Sequence, residues 1–233
     1  MSETRGGFAA RLAAVRERID VACRACGRDP GAVALLAVSK EQPADAVRAA
    51  HAAGLRAFGE NRVQELCAKA ALLAGLDLSW HLIGSLQTNK VRDLVRVDGL
   101  ALVHSLDRVR LADALQREWP ADRARLGVLL QVHATGEATK HGVPPEEAEA
   151  LLEHVVRACP ALEVRGLMAM GPLGGDPVPV FHRVAALRAT LASRSGLALP
   201  VLSLGMSGDL EAAIAAGSTL VRIGTALFGP RGT

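Results

Sequence analysis

The chain contains no tyrosine, and aromatic residues make up only 3% of its 233 positions. Its basic residues are scattered, with almost no aromatic side chain between them, and the formal net charge is only +3. A nucleic-acid groove needs a concentrated basic face with stacking platforms, so nucleic acid is not an expected partner. Long apolar runs are missing as well. The opening MSETRGGFAARLAAVRERID carries a charge every few positions and lacks the apolar centre of a signal peptide, and no later run reaches a bilayer-spanning length. A cytoplasmic protein without membrane contact is expected. No shift in composition marks a linker, and half of the residues are apolar, so residues 1–233 are expected to form one domain with a sizeable core. With no long exposed apolar helix evident, a monomer is expected.

Cysteine is scarce too. Of four cysteines, Cys23 and Cys26 form a CxxC, but they fall within the periodic stretch Phe8, Leu12, Val15, Ile19, Cys26. That spacing is one face of an amphipathic helix, and no second ligand pair follows, so no metal site is expected. Lysine is rarer than arginine to an unusual degree: 23 Arg stand against Lys40, Lys69, Lys90 and Lys140. Where arginine fills ordinary surface sites, a lysine raises the question of whether its amine is required, because only lysine readily gives up its proton to act as a nucleophile. Lys69, on a polar helix face, reads as plain surface.

What is present is alternation. After the first helix, apolar runs at 33–39, 56–59, 80–84, 101–105, 126–133, 163–170, 200–205 and 218–224 read as strands. Helical patterns fall between them, among them 43–53, 61–74, 144–159, 178–195 and 209–216, with Asp107 placed to cap the helix between the fourth and fifth strands. Continuous apolar strands separated by helices imply parallel pairing, and a count of eight predicts a closed (β/α)₈ TIM barrel with an additional N-terminal helix outside or under it. The alternative, an open doubly wound sheet, lacks a GxGxxG after its first strand.

In such a barrel the site is built from loops at the carboxyl ends of the strands. Lys40, in LLAVSKEQP, follows the first strand, and Glu60 and Asn61 follow the second. GMSGD and GTALFG follow the seventh and eighth, offering glycine turns, Ser207 and Thr225 where helices begin. Loops after strands seven and eight are a recurrent phosphate site in barrels, although Ser207 or Asp209 as a plain helix cap and Gly224 as a plain turn remain open readings. An amine facing a phosphate cradle suggests a phosphorylated carbonyl compound held as a Schiff base, and pyridoxal 5′-phosphate (PLP) fits that description.

Six segments, AVSK, FGENRVQE, WHLIGSLQTNK, RGLMAM, LSLGMSGDLEAAI and STLVRIGTALFG, occur in order from about residue 33 to the end. Together they closely resemble the YggS/PROSC family of pyridoxal phosphate homeostasis proteins, relatives of the alanine racemase barrel. The resemblance implies PLP bound to Lys40, its phosphate held by Ser207, Gly224 and Thr225, and Arg222 facing the pyridine nitrogen. Asn61, His81, Met170 and Ser203 would then lie around the ring. A cation beside that nitrogen disfavours its protonation and weakens the ring as an electron sink. The implied function is a non-catalytic PLP-binding protein of intracellular vitamin B6 homeostasis that supplies PLP to apo-enzymes through transient contact. The alternative is a PLP-dependent amino-acid racemase of low activity, although the tyrosine acid/base and the additional β domain of those enzymes have no counterpart in the sequence. His81 reads as structural or as a ring contact, and Lys90 and Lys140 as contacts for anions at the mouth, with Lys140 a second transient aldehyde acceptor. His133 and Leu204 stand where the family commonly has asparagine and methionine.

Overall fold

The structure is a computed structural model that describes residues 2–135 and 141–229, with side chains from Gly7 onward. Lys140 and its neighbours at 136–140 lie outside the described residues. Eight strands, β1 (Ala34–Val38), β2 (Ala57–Glu60), β3 (Ser79–Leu82), β4 (Leu100–Leu106), β5 (Leu126–Gln131), β6 (Leu162–Met168), β7 (Val201–Ser203) and β8 (Leu220–Ile223), pair in parallel in chain order. β8 pairs back onto β1, which closes the barrel. The helices are α1 (Ser2–Ala25), α2 (Ala44–Ala52), α3 (Val63–Leu72), α4 (Val91–Leu94), α5 (Val109–Glu118), α6 (Ala148–Ala158), α7 (Val178–Ser195), α8 (Leu210–Ala215) and α9 (Thr225–Phe228).

Strand alternation sorts the core into two layers. Ala37, Phe58, Trp80, Leu82, Val103, Val128, Leu167, Leu202 and Val221 join one continuous cluster with the helices, the outward face of the barrel. Their neighbours Leu102, Leu129 and Met168 form a separate cluster with Met170 and Val201, inside the barrel. Leu36 pairs with Arg222, and a Cβ on Gly59 would lie 3.1 Å from Leu36 and 3.5 Å from Ile83, which places all four on the inward face. By the same parity Val38 continues that face upward, and Lys40 follows two residues on, in the turn at the mouth.

Six of the eight strands expected from apolar runs overshoot at their carboxyl ends, whereas β2 and β4 each run one residue beyond the expected end. Ser39, Ile83, Gly84, Ala169, Met170, Leu204 and Gly205 lie beyond the strand ends, although Ser39, Ile83 and Ala169 still donate to Gly59 O, Glu60 O and Ser203 O of the neighbouring strands at 3.0, 2.9 and 3.3 Å. These residues remain largely buried where the regular strand gives way to the loop, so hydrophobicity alone extends the strand into the loop. Gly205 marks one such departure: its φ is 88°, and a Cβ there would sit 2.6 Å from that of Ala213. Only glycine fits.

α1 buries Phe8, Leu12, Val15, Ile19, Ala22 and Cys23, and it lies outside the barrel against α8 and α9. Phe8 and Phe228 rings meet at 5.5 Å, Arg11 Nε donates to Leu227 O at 2.6 Å, and Arg18 pairs with Glu211 at 2.8 Å. Cys23 belongs to that buried face and Cys26 is exposed, as the helical spacing requires. Asp107 does not cap α5. The N-cap is Arg108, without a side-chain cap, and the Asp107 carboxylate is taken by the Arg108 guanidinium, whose other nitrogen donates to Leu86 O at 2.8 Å. No helix among the described residues is long and apolar enough to cross a membrane.

Candidate functional site

Lys40 sits two residues beyond β1, half-buried, in a turn closed by Gln42 N–H donating to Ser39 O at 3.0 Å. The next residue, Glu41, has a φ of 63°, an uncommon conformation for a side chain with a Cβ. Behind this turn stands a buried ionic cluster. Lys69 Nζ donates to Ser39 O at 2.6 Å, to Glu60 Oε1 at 2.8 Å and to Glu65 Oε1 at 2.7 Å, while Ser39 Oγ donates to Glu60 Oε1 at 2.6 Å. The expectation that Lys69 is plain surface is therefore overturned: it is 5% exposed, because α3 turns it inward onto the end of β2. Burial pushes the Glu60 carboxyl above the usual carboxylate range, opposed by the Lys69 and Ser39 hydrogen bonds.

The loops after β7 and β8 lie beside this turn. Ala37 is in register with Ile223, and a Cβ on Gly224 would lie 3.2 Å from Val38 O, so the chain after β8 passes against Val38, two residues before Lys40. Ser207 does not cap α8. Its Oγ accepts from Ala226 N–H at 3.4 Å, linking the two loops, and Arg18 of α1 donates to its carbonyl at 3.1 Å. Asp209 is the N-cap residue of α8 but makes no cap bond there; it folds the loop by accepting from Met206 N–H at 2.6 Å. Gly208 faces open space, and Thr225 opens α9 at the surface.

Beneath the mouth a polar chain crosses the barrel interior. Arg222, 4% exposed, donates from Nη1 to Ser203 O at 2.6 Å and Ser203 Oγ at 2.8 Å, and from Nη2 to Ala169 O at 3.0 Å. Three of its five N–H groups are thus committed and two are not, among the described residues. Burial lowers its pKa to about 10, with Asp209 acting in the other direction. Ser203 Oγ lies 3.2 Å from His104 Nδ1, His104 Nε2 lies 3.0 Å from His81 Nδ1, and His81 Nε2 lies 3.4 Å from Ser79 Oγ.

The direction of this chain follows from Arg222. Since the guanidinium only donates, the Ser203 hydroxyl accepts from it, and His104 Nδ1 is its one acceptor among the described residues. His104 then carries its proton on Nε2 and donates to His81 Nδ1, and His81 donates from Nε2 to Ser79. Both histidines are neutral in this pattern. Burial, with Arg165 adding to it, lowers the His81 pKa to about 4; burial, His81 and Arg222 hold His104 well below the usual histidine value. His81 thus has both ring nitrogens engaged inside the protein. His104 was not singled out from the sequence, where it is one polar residue in ALVHSL.

Met170 is half-buried after β6 and packs against the interior cluster. Asn61, exposed after β2, lines a cavity of about 520 Å³ with Ser85, Lys90, Arg108 and His141, so Lys90 belongs to the rim on the β2–β4 side. A Cβ on Gly84 would stand 2.1 Å from Asn61 O, and the glycine lets the loop after β3 close onto Asn61. A larger cavity of about 720 Å³, lined by Cys67, Trp80, Asp93 and Gly99, lies between α3 and α4 outside the barrel and contains none of these site residues. Gln131 Nε2 donates to His141 O at 2.9 Å, and half-buried His133 stands on the rim after β5.

Fold and site define the class as a (β/α)₈ barrel with a lysine at the end of its first strand and a buried arginine on its last. Within that class the chain belongs to the family of the alanine racemase N-terminal domain, whose family model matches residues 10–232. It is 50% identical over 224 residues to the pyridoxal phosphate homeostasis protein of Pseudomonas aeruginosa, covering 96% of both chains. Among solved structures it is similar to PipY of Synechococcus elongatus with PLP bound, at 38% identity and a TM-score of 0.82, covering 95% of this chain and 100% of that one. An alanine racemase from Corynebacterium glutamicum, 19% identical with a TM-score of 0.66, shares the fold over 95% of this chain and 62% of its own.

Proposed function

We propose that this protein binds pyridoxal 5′-phosphate at the barrel mouth through Lys40 and serves as a non-catalytic carrier in intracellular vitamin B6 homeostasis, supplying the cofactor to apo-enzymes. The observation that carries this reading is Lys40 in the turn two residues beyond Val38, whose carbonyl lies against Gly224, above an arginine with two donors uncommitted among the described residues. The residues fit the group: Ser207, Gly224 and Thr225 offer hydroxyl and peptide donors to a phosphate, and Lys40 offers the amine. When bound, the cofactor supplies an aldehyde that condenses with Lys40 Nζ with loss of one water, an attachment that water reverses. Arg222, fixed by Ser203 and Ala169, holds positive charge where the resemblance places the pyridine nitrogen, and so keeps that nitrogen unprotonated. Asn61 and Met170 would border the ring, with Ser203 and His81 in the layer beneath. An apo-enzyme would be served by transient contact at this open face.

The test is to add PLP, reduce with borohydride, and identify the labelled peptide. Label on LLAVSKEQP, lost in Lys40→Ala, with reactivation of a PLP-dependent apo-enzyme by the unreduced protein, is the expected result. A label elsewhere overturns the tether. Amino-acid racemisation on chiral analysis, lost in Lys40→Ala, overturns the carrier-only role in favour of a racemase.

A further inference from the structure

Lys40 is bounded by two peptide groups, and both are held from outside the barrel. The carbonyl on its amino side, Ser39 O, accepts from Lys69 Nζ at 2.6 Å. The amide on its carboxyl side, Glu41 N–H, donates to Glu65 Oε1 at 2.5 Å. Lys69 joins the two, because its remaining donors go to Glu60 Oε1 and to the same Glu65 Oε1. Glu60 in turn takes the Ser39 hydroxyl.

Three details show that the arrangement is specific. An ammonium has three donors converging on one atom, and all three are used, a geometry that the planar fork of arginine does not reproduce. That explains a lysine here in a chain that otherwise favours arginine. Glu60 is fully buried with its Oε2 unpartnered, so the cluster is not a surface ion pair that solvent could replace. Glu41 sits at a φ of 63°, a conformation that persists only where its surroundings hold it.

We propose that Lys69, Glu60 and Glu65 are positioning residues that clamp the peptide groups on both sides of Lys40 and thereby set the rate at which its amine takes up an aldehyde. The identity of that aldehyde as PLP rests on the reading above; the clamp itself does not. The test therefore uses two probes on the full chain. Without cofactor, hydrogen exchange at the Glu41 amide and the rate of reductive methylation of Lys40 by formaldehyde and borohydride are measured by peptide mass. With cofactor, the rate of PLP uptake is followed by absorbance.

Glu65→Ala is the first variant, since the Glu65 side chain, 23% exposed, is the member of the cluster that reaches the surface. Exchange at Glu41 is expected to rise about tenfold or more, the scale of one charge-assisted hydrogen bond. Lys40 methylation and PLP uptake should change with it. Glu65→Gln keeps an acceptor oxygen and should restore protection at Glu41. The double variant Lys69→Met/Glu60→Gln removes the buried pair without leaving a lone charge and should reproduce the Lys40 effects. Unchanged Glu41 exchange in Glu65→Ala overturns the clamp. Raised exchange with unchanged Lys40 methylation overturns its role in positioning the amine. If the parent shows no PLP uptake, the cofactor reading fails, and exchange and methylation alone still decide for or against the clamp.

Discussion

Acid should weaken this barrel through its interior histidines, and the size of the effect can be worked for His81. In the unfolded chain His81 takes up a proton near its ordinary value of about 6.5, whereas in the folded barrel burial delays this to about 4. Between those values the unfolded state binds more protons, so stability falls as pH falls; above about 6.5 the residue contributes no slope. Lowering the pH from about 7.5 to about 5 should therefore cost about 2 kcal/mol through His81, since each pK unit is worth about 1.4 kcal/mol. His104 acts in the same direction. Glu60, raised by burial, acts in the opposite one, regaining stability as acid protonates it, so the informative quantity is a difference between two proteins. Urea unfolding of the parent and of His81→Gln across this range supplies it. The variant is weaker at neutral pH, because Gln cannot hold both ends of the chain, but its stability should decline less steeply, by about 1 kcal/mol per pH unit between about pH 6 and about pH 5. Parallel curves for the two proteins would refute the claim that His81 is held neutral by burial.

The other expectations concern single groups. Ser203→Ala removes the acceptor for Arg222 Nη1 and the donor to His104, and should lower stability by about 1–3 kcal/mol in urea unfolding; a loss under about 0.5 kcal/mol would mean that water replaces the hydroxyl. Gly205→Ala combines a left-handed backbone with a 2.6 Å contact to Ala213, and should cost more than about 1 kcal/mol, with only partial relief from adding Ala213→Gly because the backbone strain remains. Lys40→Ala should leave the unfolding midpoint within about 0.5 kcal/mol of the parent, because the side chain is half-buried at the mouth, while abolishing the reducible adduct with PLP.

The parts of the molecule that the sequence displays and the parts that it hides differ in a physical way. The strands are legible because each is covered on both faces, so that LLAV or LGVLLQ reads as one apolar run, and eight of them with helices between leave little choice of topology. Lys40, Arg222 and the glycine loops are legible because a barrel gives strand ends a meaning before any contact is known. Lys69 and His104 are not, since what makes them matter is a partner on another element. Lys69 is one polar residue on α3 until the register of β1 and β2 brings Ser39 and Glu60 together beneath it. Two hints were available: the i,i+4 spacing of Glu65 and Lys69, and the rarity of lysine itself, an argument applied to Lys40 and equally true of Lys69. His104 joins His81 only because β3 and β4 pair with His81 against Leu102, which puts His104 one step higher on the same inward face. A residue that touches a ligand can announce itself by type and place along the chain, whereas one that holds such a residue is defined by register, and register enters only with the fold. Lys69 follows this division: scarcity marks its amine as needed, and the β1–β2 pairing shows that what needs it is the turn carrying Lys40.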